Sequence, residues 1–330
     1  MEPTKPKLLD ELVAKCRLKS DSKKTGETYR HWCADYLRYH RDRTGAWVHP
    51  KEMGKVEIEQ YLTQLATARH VAPSTQNLAL QAILFLYREC LGVKIENVDA
   101  LRSRRPQRIP TVLTRQEVAA VLENLTGPMK LIASLCYGCG CRIGEVLSLR
   151  LKDIDFSGGT IVIRHAKGAK DRVVPLPRAA VPLLREQFKL TERWHTLDTE
   201  AGCARVPLPN AFADKSPKAA ADIRWWWCFC SAVRSKDPDT KQVGRWHIDE
   251  TTFSRALSYA VRKAGVMKRV TSHCFRHSCA THLLNAGTDI RTIQKLLGHS
   301  DLRTTQLYTH VADDGPGSER SPLDTLLRIA

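Results

Sequence analysis

Leu296-Leu297-Gly298-His299-Ser300-Asp301-Leu302-Arg303-Thr304-Thr305-Gln306-Leu307-Tyr308-Thr309-His310 decides how the rest of the chain is read. Leu296 and Leu297 end a helical pattern that begins near Ile290, and Gly298 offers the left-handed stop that closes a helix. Ser300 is a good N-cap for a second short helix, and Tyr308 lies two turns along it. A histidine and a tyrosine are thereby held at a fixed separation on two consecutive helices. A phenol is a poor nucleophile at neutral pH unless cations and hydrogen-bond donors surround it. Either the chain supplies those cations or Tyr308 is a packed aromatic.

Upstream, residues 272–284 read as a helix on which His273 and Arg276, three apart, share a face. Taken singly, such a histidine is an ordinary structural residue. Before it, Phe253, Leu257, Ala260 and Val261 mark another amphipathic helix. Farther back, Gly138-Cys139-Gly140-Cys141-Arg142-Ile143-Gly144-Glu145 is a tight turn between two helices. Its spacing is G-x-G-x-x-x-G and a helix precedes it, which excludes a dinucleotide site. What remains is Arg142 at a helix start, with Glu145 one turn on to orient its guanidinium. Thr160-Ile161-Val162-Ile163 and Val173-Val174-Pro175-Leu176 are β-branched runs around a basic tip containing Lys167, the pattern of a hairpin. A lysine there is solvent-exposed by default, or it reaches into a site built by other elements.

After a helix at 178–194, the stretch from about His195 to Gly244 carries Pro, Gly and polar residues around Arg224-Trp225-Trp226-Trp227-Cys228-Phe229-Cys230. Arg245-Trp246-His247 follows. Fifty irregular residues inside a compact domain read as an insert with its own purpose. The tryptophans form either a hydrophobic cluster beneath a long loop or a platform for unstacked nucleobases. In the second case Trp225, Trp226, Trp227, Trp246 and His247 are the candidates.

Toward the N-terminus, residues 7–19 suit a short helix. Tyr29, Trp32, Cys33, Tyr36 and Leu37 follow a helical stripe whose outer side carries Arg30, Arg38 and Arg41. Val56, Ile58, Tyr61, Leu62 and Leu65 mark a third helix; Leu78, Ile83, Leu84 and Tyr87 mark a fourth, from about Ser74 to Leu91. Residues 101–110 hold Arg102, Arg104, Arg105 and Arg108 with two prolines and no periodicity, which is a linker composition. The capping box of Thr114 and Glu117 opens the next domain. The chain thus reads as mainly α with a small antiparallel β-sheet. Residues 1–101 form a four-helix domain, 102–113 a basic linker, 114–312 a second domain with its insert at about 195–245, and 313–330 a tail. The tail ends in an apolar patch, Pro322 to Leu327, able to dock on a neighbouring subunit.

The net charge of +17 over 330 residues points to a polyanionic partner, nucleic acid first. The seven arginines Arg30, Arg38, Arg41, Arg102, Arg104, Arg105 and Arg108 are the candidate phosphate contacts. No run approaches the length of a membrane span and no signal-peptide core is present, so a cytoplasmic protein without a membrane partner is expected. Eleven cysteines in a reducing compartment are thiols. Cys136, Cys139 and Cys141, with Cys228 and Cys230, lack the paired spacing of a zinc site and read as buried small apolar residues.

Arg142, Lys167, His273, Arg276, His299 and Tyr308 share one chemical logic. In phosphodiester cleavage the non-bridging oxygens of a phosphorane carry charge that two guanidinium forks match bidentately. The leaving 5′ oxygen needs a proton, which a lysine or histidine donates, while the attacking phenol loses one. The cations are built in, so no metal and no cofactor is expected, and no carboxylate cluster suits Mg²⁺.

This set resembles the tyrosine recombinase (phage integrase) family. Arg142 matches the first family arginine and Lys167 the hairpin lysine; His273 and Arg276 match the H-x-x-R box, and His299 and Tyr308 the L-G-H and nucleophile positions. Cys274 and Phe275 depart from the usual residues inside the box. The resemblance implies a helical, SAM-like core-binding domain and a catalytic domain that breaks and rejoins DNA through a 3′-phosphotyrosine. It also implies a free monomer that assembles as a homotetramer on two sites. Within the family the chain is most similar to integron integrases, through the insert, its Trp-rich segment, Arg245-Trp246-His247 and Arg320-Ser321-Pro322-Leu323-Asp324. Those enzymes recombine a duplex attI site with folded single-stranded attC hairpins, recognised through extrahelical bases, and so integrate and excise gene cassettes. The alternatives are a phage-type or resolvase-type enzyme acting on duplex DNA only, a type IB topoisomerase, and a DNA-binding protein that does not cleave.

Overall fold

The protein is described from a computed structural model covering residues 8–20, 23–96, 98, 110–164, 171–209, 212–237 and 241–298. It divides into two compact units, Met1–Arg108 and Ile109–Ala330. Among the described residues it is mainly helical, with two small antiparallel sheets.

In the first unit α1 (Leu8–Ser20), α2 (Lys23–Thr44), α3 (Lys55–Thr67) and α4 (Pro73–Phe85) surround one core; a π-helical turn, Leu86–Leu91, continues α4 until left-handed Gly92 ends it. The stripe on α2 is inward, with Trp32, Cys33 and Tyr36 buried against Tyr61, Ile83 and Tyr87. Burying three phenols demands partners. Tyr36 and Tyr87 share a hydrogen bond of 3.1 Å, and Tyr61 donates to Asp35 Oδ2 at 2.7 Å. Two stripe positions expected inside are not: Val56 is exposed because it lies on the side of α3 opposite Ile58, Tyr61, Leu62 and Leu65, and Leu78 because it sits at the edge of the buried arc of α4.

The second unit opens with α5 (Arg115–Glu123), whose Thr114 and Glu117 cap each other reciprocally, at 3.1 and 2.7 Å. Then come α6 (Gly127–Gly138) and α7 (Ile143–Leu147), and a sheet of β1 (Ile154–Asp155), β2 (Thr160–Ile163) and β3 (Arg172–Pro175) in that order. Ile161 faces Val174 and Ile163 faces Arg172 across the β2–β3 pair, the expected hairpin with one added edge strand. α8 (Val181–Glu200), the single turn α9 (Phe212–Lys215), β4 (Cys230–Lys236) and β5 (Val243–His247) follow. The chain then runs through α10 (Glu250–Lys263), α11 (Ser272–Asn285) and α12 (Ile290–Leu297). The core gathers Leu131, Ile132 and Leu135 of α6, Phe253 and Leu257 of α10 and Phe275 of α11.

The insert is more regular than its composition suggests. α8 runs on to Glu200, past the expected break at His195, and β4 and β5 pair antiparallel from Cys230 opposite His247 to Lys236 opposite Val243. A bulge lies between Cys230 and Arg234. Its anchor is Asp198 of α8, fully buried, which accepts two bonds from Arg245 of β5, both 2.8 Å, and one from Arg234 of β4, also 2.8 Å. Arg245 also donates to the bulge carbonyls of Ser231 and Ala232. A buried carboxylate that enters the fold only when paired fixes the hairpin against α8.

Candidate active site

The turn between α6 and α7 is shaped by Gly140, left-handed at φ +60°. A Cβ there would stand 2.5 Å from Leu297 Cδ2, so glycine is needed both for the backbone and for the approach of α12. Arg142 follows at the N-cap of α7. Its backbone N–H and its Nη1 donate to the two oxygens of Glu145, at 2.9 and 2.8 Å. The orienting role expected of Glu145 is thus visible as geometry.

Glu145 has a second partner that sequence reasoning missed. Arg172, the first residue of β3, donates Nη1 and Nη2 to its two oxygens at 3.0 and 2.6 Å, and Nε to the Leu296 carbonyl at 3.0 Å. Burial alone would push the Glu145 carboxyl up; the bonds from Arg172 and Arg142 outweigh it and hold it down to about 2. A signal for Arg172 existed: with a period of two it shares a face with buried Val174, and a charge on the inward face of a strand requires a partner.

Arg276 of α11 is 3% exposed. Nη1 donates to the Gly140 carbonyl at 2.6 Å and Nη2 to the Leu297 carbonyl at 2.7 Å. Two arginines therefore occupy the last carbonyls of α12, where the helix dipole favours cations. Gly298 closes α12 in the left-handed region, φ +65°. The Gly140 turn brings Arg276 and Arg142 to one corner of the unit. His273, one turn before Arg276, is exposed, and its ring centre lies 6.4 Å from that of half-buried His277. Burial, with His273 and Arg276 adding to it, pulls His277 down to about 4. Lys167, His299 and Tyr308 lie outside the described residues, as do Arg102, Arg104, Arg105, Arg108 and the tail.

The candidate DNA contacts divide. Arg30 and Arg38 are exposed on α2, each 3.6 Å from a carboxylate, Asp10 and Asp35 respectively. Arg41 pairs with Asp42 and lies 4.8 Å above the Trp47 ring. The tryptophan triplet is not a platform. Trp226 is completely buried and Trp227 nearly so, in a satellite cluster with Ala204, Val206 and Cys230. The strip is tied to the core by Leu151 N–H to the Trp226 carbonyl at 3.0 Å and Cys228 N–H to the Leu149 carbonyl at 2.7 Å. Buried Arg150 lies 3.9 Å over Trp227 and donates to the carbonyls of Trp225 and Pro207. Trp226 and Trp227 thus have no face left for a base. Trp225 is half-buried and stacked on Phe212 at 4.6 Å. His247 is half-buried, its Nδ1 2.8 Å from the Ile248 carbonyl.

Trp246 is the most open of the five aromatic candidates, at 44% exposure. It borders a cavity of about 370 Å³ lined by Arg205, Val206, Pro207, Leu208 and Val243. All eleven cysteines are thiols. The five considered for zinc are buried in the hydrophobic clusters, and among the described residues no three metal-binding side chains converge. Nor is any described helix long and apolar enough to cross a membrane.

Comparison with known proteins adds the family. Residues 8–97 match the model of the phage integrase N-terminal SAM-like domain, and residues 111–314 that of the phage integrase family. An integrase/recombinase of Escherichia coli is 43% identical over 97% of this chain and 94% of its own length. The tyrosine recombinase XerA of Thermococcus kodakarensis is 36% identical over 71% of this chain and 70% of its own. Among solved structures, XerH recombinase bound to its difH substrate superposes with a TM-score of 0.60 at 21% identity, covering 97% of this chain and 83% of that one; the fold is shared. A fold of this kind, a family match across the whole catalytic unit and a relative at that identity lead to one assignment: the chain belongs to the phage integrase family and is a tyrosine-type site-specific DNA recombinase, which cleaves and rejoins DNA strands.

Proposed function

We propose that this recombinase is an integron integrase that integrates and excises gene cassettes by joining a duplex attI site to folded attC hairpins. The observation that carries the reading is the hairpin of β4 and β5, with open Trp246 beside a cavity of about 370 Å³. A hollow with Val206, Pro207, Leu208 and Val243 on its walls and Arg205, Asp237 and Arg245 among its polar groups suits an unstacked base, which a duplex-only enzyme does not meet. In the chemical step Tyr308 Oη attacks the scissile phosphorus and the bond to the 5′ oxygen breaks. The phenol releases its proton to solvent as it bonds to phosphorus, and the products are a 3′-phosphotyrosine and a 5′ hydroxyl whose proton comes from Lys167. Arg142 and Arg276 stabilise the phosphorane, and His273 and His299 position the phosphate. Exposed Arg30 and Arg38 and half-buried Arg41, with the linker arginines, neutralise phosphates, and the enzyme is a free cytosolic monomer until four copies meet on two sites.

Two measurements test this. Tyr308→Phe is expected to form no covalent adduct on a nicked suicide substrate; an adduct would sink the assignment of the nucleophile. Binding of the wild-type chain to an attC bottom-strand hairpin is expected to exceed binding to the matching duplex, and Trp246→Ala is expected to remove that preference. Equal binding to both forms favours a second reading, an enzyme of duplex sites only.

A further inference from the structure

We propose that Arg172 is a positioning residue for strand cleavage, locking the Arg142 guanidinium to the helix end from which the tyrosine segment departs. The inference rests on the reading of Arg142 and Tyr308 given above. Arg172 reaches Arg142 through a shared carboxylate. It spends its planar fork on Glu145, the carboxylate that holds Arg142 from the other side, and its Nε on the carbonyl of Leu296. Leu296 stands three residues before His299. One rigid side chain thus ties the α7 start, where Arg142 sits, to the α12 end.

The surroundings are built for that link. A Cβ on Gly298 would fall 3.0 Å from Arg172 Cδ and 3.1 Å from its Nη1, so the glycine that ends α12 also clears the path of the arginine. Arg172 and Glu145 are both nearly enclosed, with 9% and 8% of their side chains exposed, and there a charged hydrogen bond is stronger than in water. Lysine cannot replace this. Its ammonium is a point charge without a fork and cannot serve a bidentate carboxylate and a carbonyl on the far side together. Misplacing a reacting group by about 1 Å can cost on the order of 10²-fold in rate.

Arg172 also begins the strand that leaves the Lys167 tip, so a rival role is to hold the general acid. A sulfur leaving group separates the two, because a thiolate departs without being protonated. Adduct formation is measured at saturating DNA on nicked attI and attC oligonucleotides, with normal and 5′-bridging phosphorothiolate linkages. Arg172→Lys is expected to react about 10²-fold more slowly than wild type, with DNA affinity and thermal midpoint retained and the defect undiminished on the sulfur substrate. Lys167→Ala is expected to recover on that substrate. Glu145→Gln, a variant that keeps the side-chain shape, is expected to show the same defect, and the double variant to be no slower than the worse single one. Wild-type rates for Arg172→Lys, rescue of it by sulfur, or additive losses in the pair would each overturn the inference. Adducts formed by Tyr308→Phe would instead overturn the nucleophile reading beneath it.

Discussion

Glu145 and His277 hold opposite ends of the charge pattern around Arg142 and Arg276, and both respond to acid. His277 is kept down to about 4 by burial, with His273 and the Arg276 guanidinium adding to it, against an ordinary 6.5. The unfolded chain therefore binds a proton there before the folded one does, and stability falls as pH drops from 6.5 toward 4. Between pH 7.5 and pH 5 the loss from this residue is about 2 kcal/mol. Glu145, at about 2 against 4.5, contributes stability that is complete above 4.5 and disappears only as pH falls toward 2. Urea denaturation across pH is expected to show both windows, with the upper one missing in His277→Gln. A variant that kept the upper window would assign it to another group.

At the scale of elements, the docking of α12 is held by small pieces that each admit a test. Gly140→Ala puts a Cβ against Leu297 and a non-glycine residue at φ +60°, a cost of roughly 1–2 kcal/mol for the backbone alone. The insert depends on Asp198: Asp198→Asn leaves Arg245 buried beside a neutral amide, a loss of about 3–5 kcal/mol. Its other pair, with half-exposed Arg234, adds little. Amide exchange in β4 and β5 of Asp198→Asn is expected to rise before that in α11, and uniform protection would show that the hairpin does not need the anchor.

These same elements mark what could be read in the sequence. The amphipathic helices, the Thr114 box, the β2–β3 hairpin and the Gly298 stop were legible because each is encoded within a few residues. The β4–β5 hairpin was hidden because β4 is exposed on both faces beyond Cys230 and shows no alternation. The sequence left the tryptophan strip open between a hydrophobic cluster and a base platform, because the partner that decides it, Arg150, lies 75 residues away from Trp225. Arg142 and Arg276 were singled out by type and spacing. The bond from Arg276 to the Gly140 carbonyl, across 136 residues, belongs to the tertiary structure alone.

For the whole molecule the governing number is +17. Among the basic side chains of α2, Arg30, Arg38 and Arg41 each have a carboxylate nearby, so no one of them decides binding by itself. What DNA meets is the summed field, and binding releases counterions in proportion to the phosphates neutralised. With about 6–10 phosphates contacted, affinity is expected to fall on the order of 10³- to 10⁵-fold between 50 and 200 mM salt. Arg38→Ala should then lower the slope of log affinity against log salt by about 1, without changing which sequences are preferred. The cleavage step should behave differently. Arg276 is buried and Glu145 and Arg172 are largely enclosed, and enclosed charges are screened far less than surface ones. The rate of adduct formation at saturating DNA is therefore expected to stay nearly constant over the same salt range. A cleavage rate that fell in step with affinity would place the cations that act in cleavage in contact with bulk solvent, outside the enclosed corner formed by α7, α11 and α12.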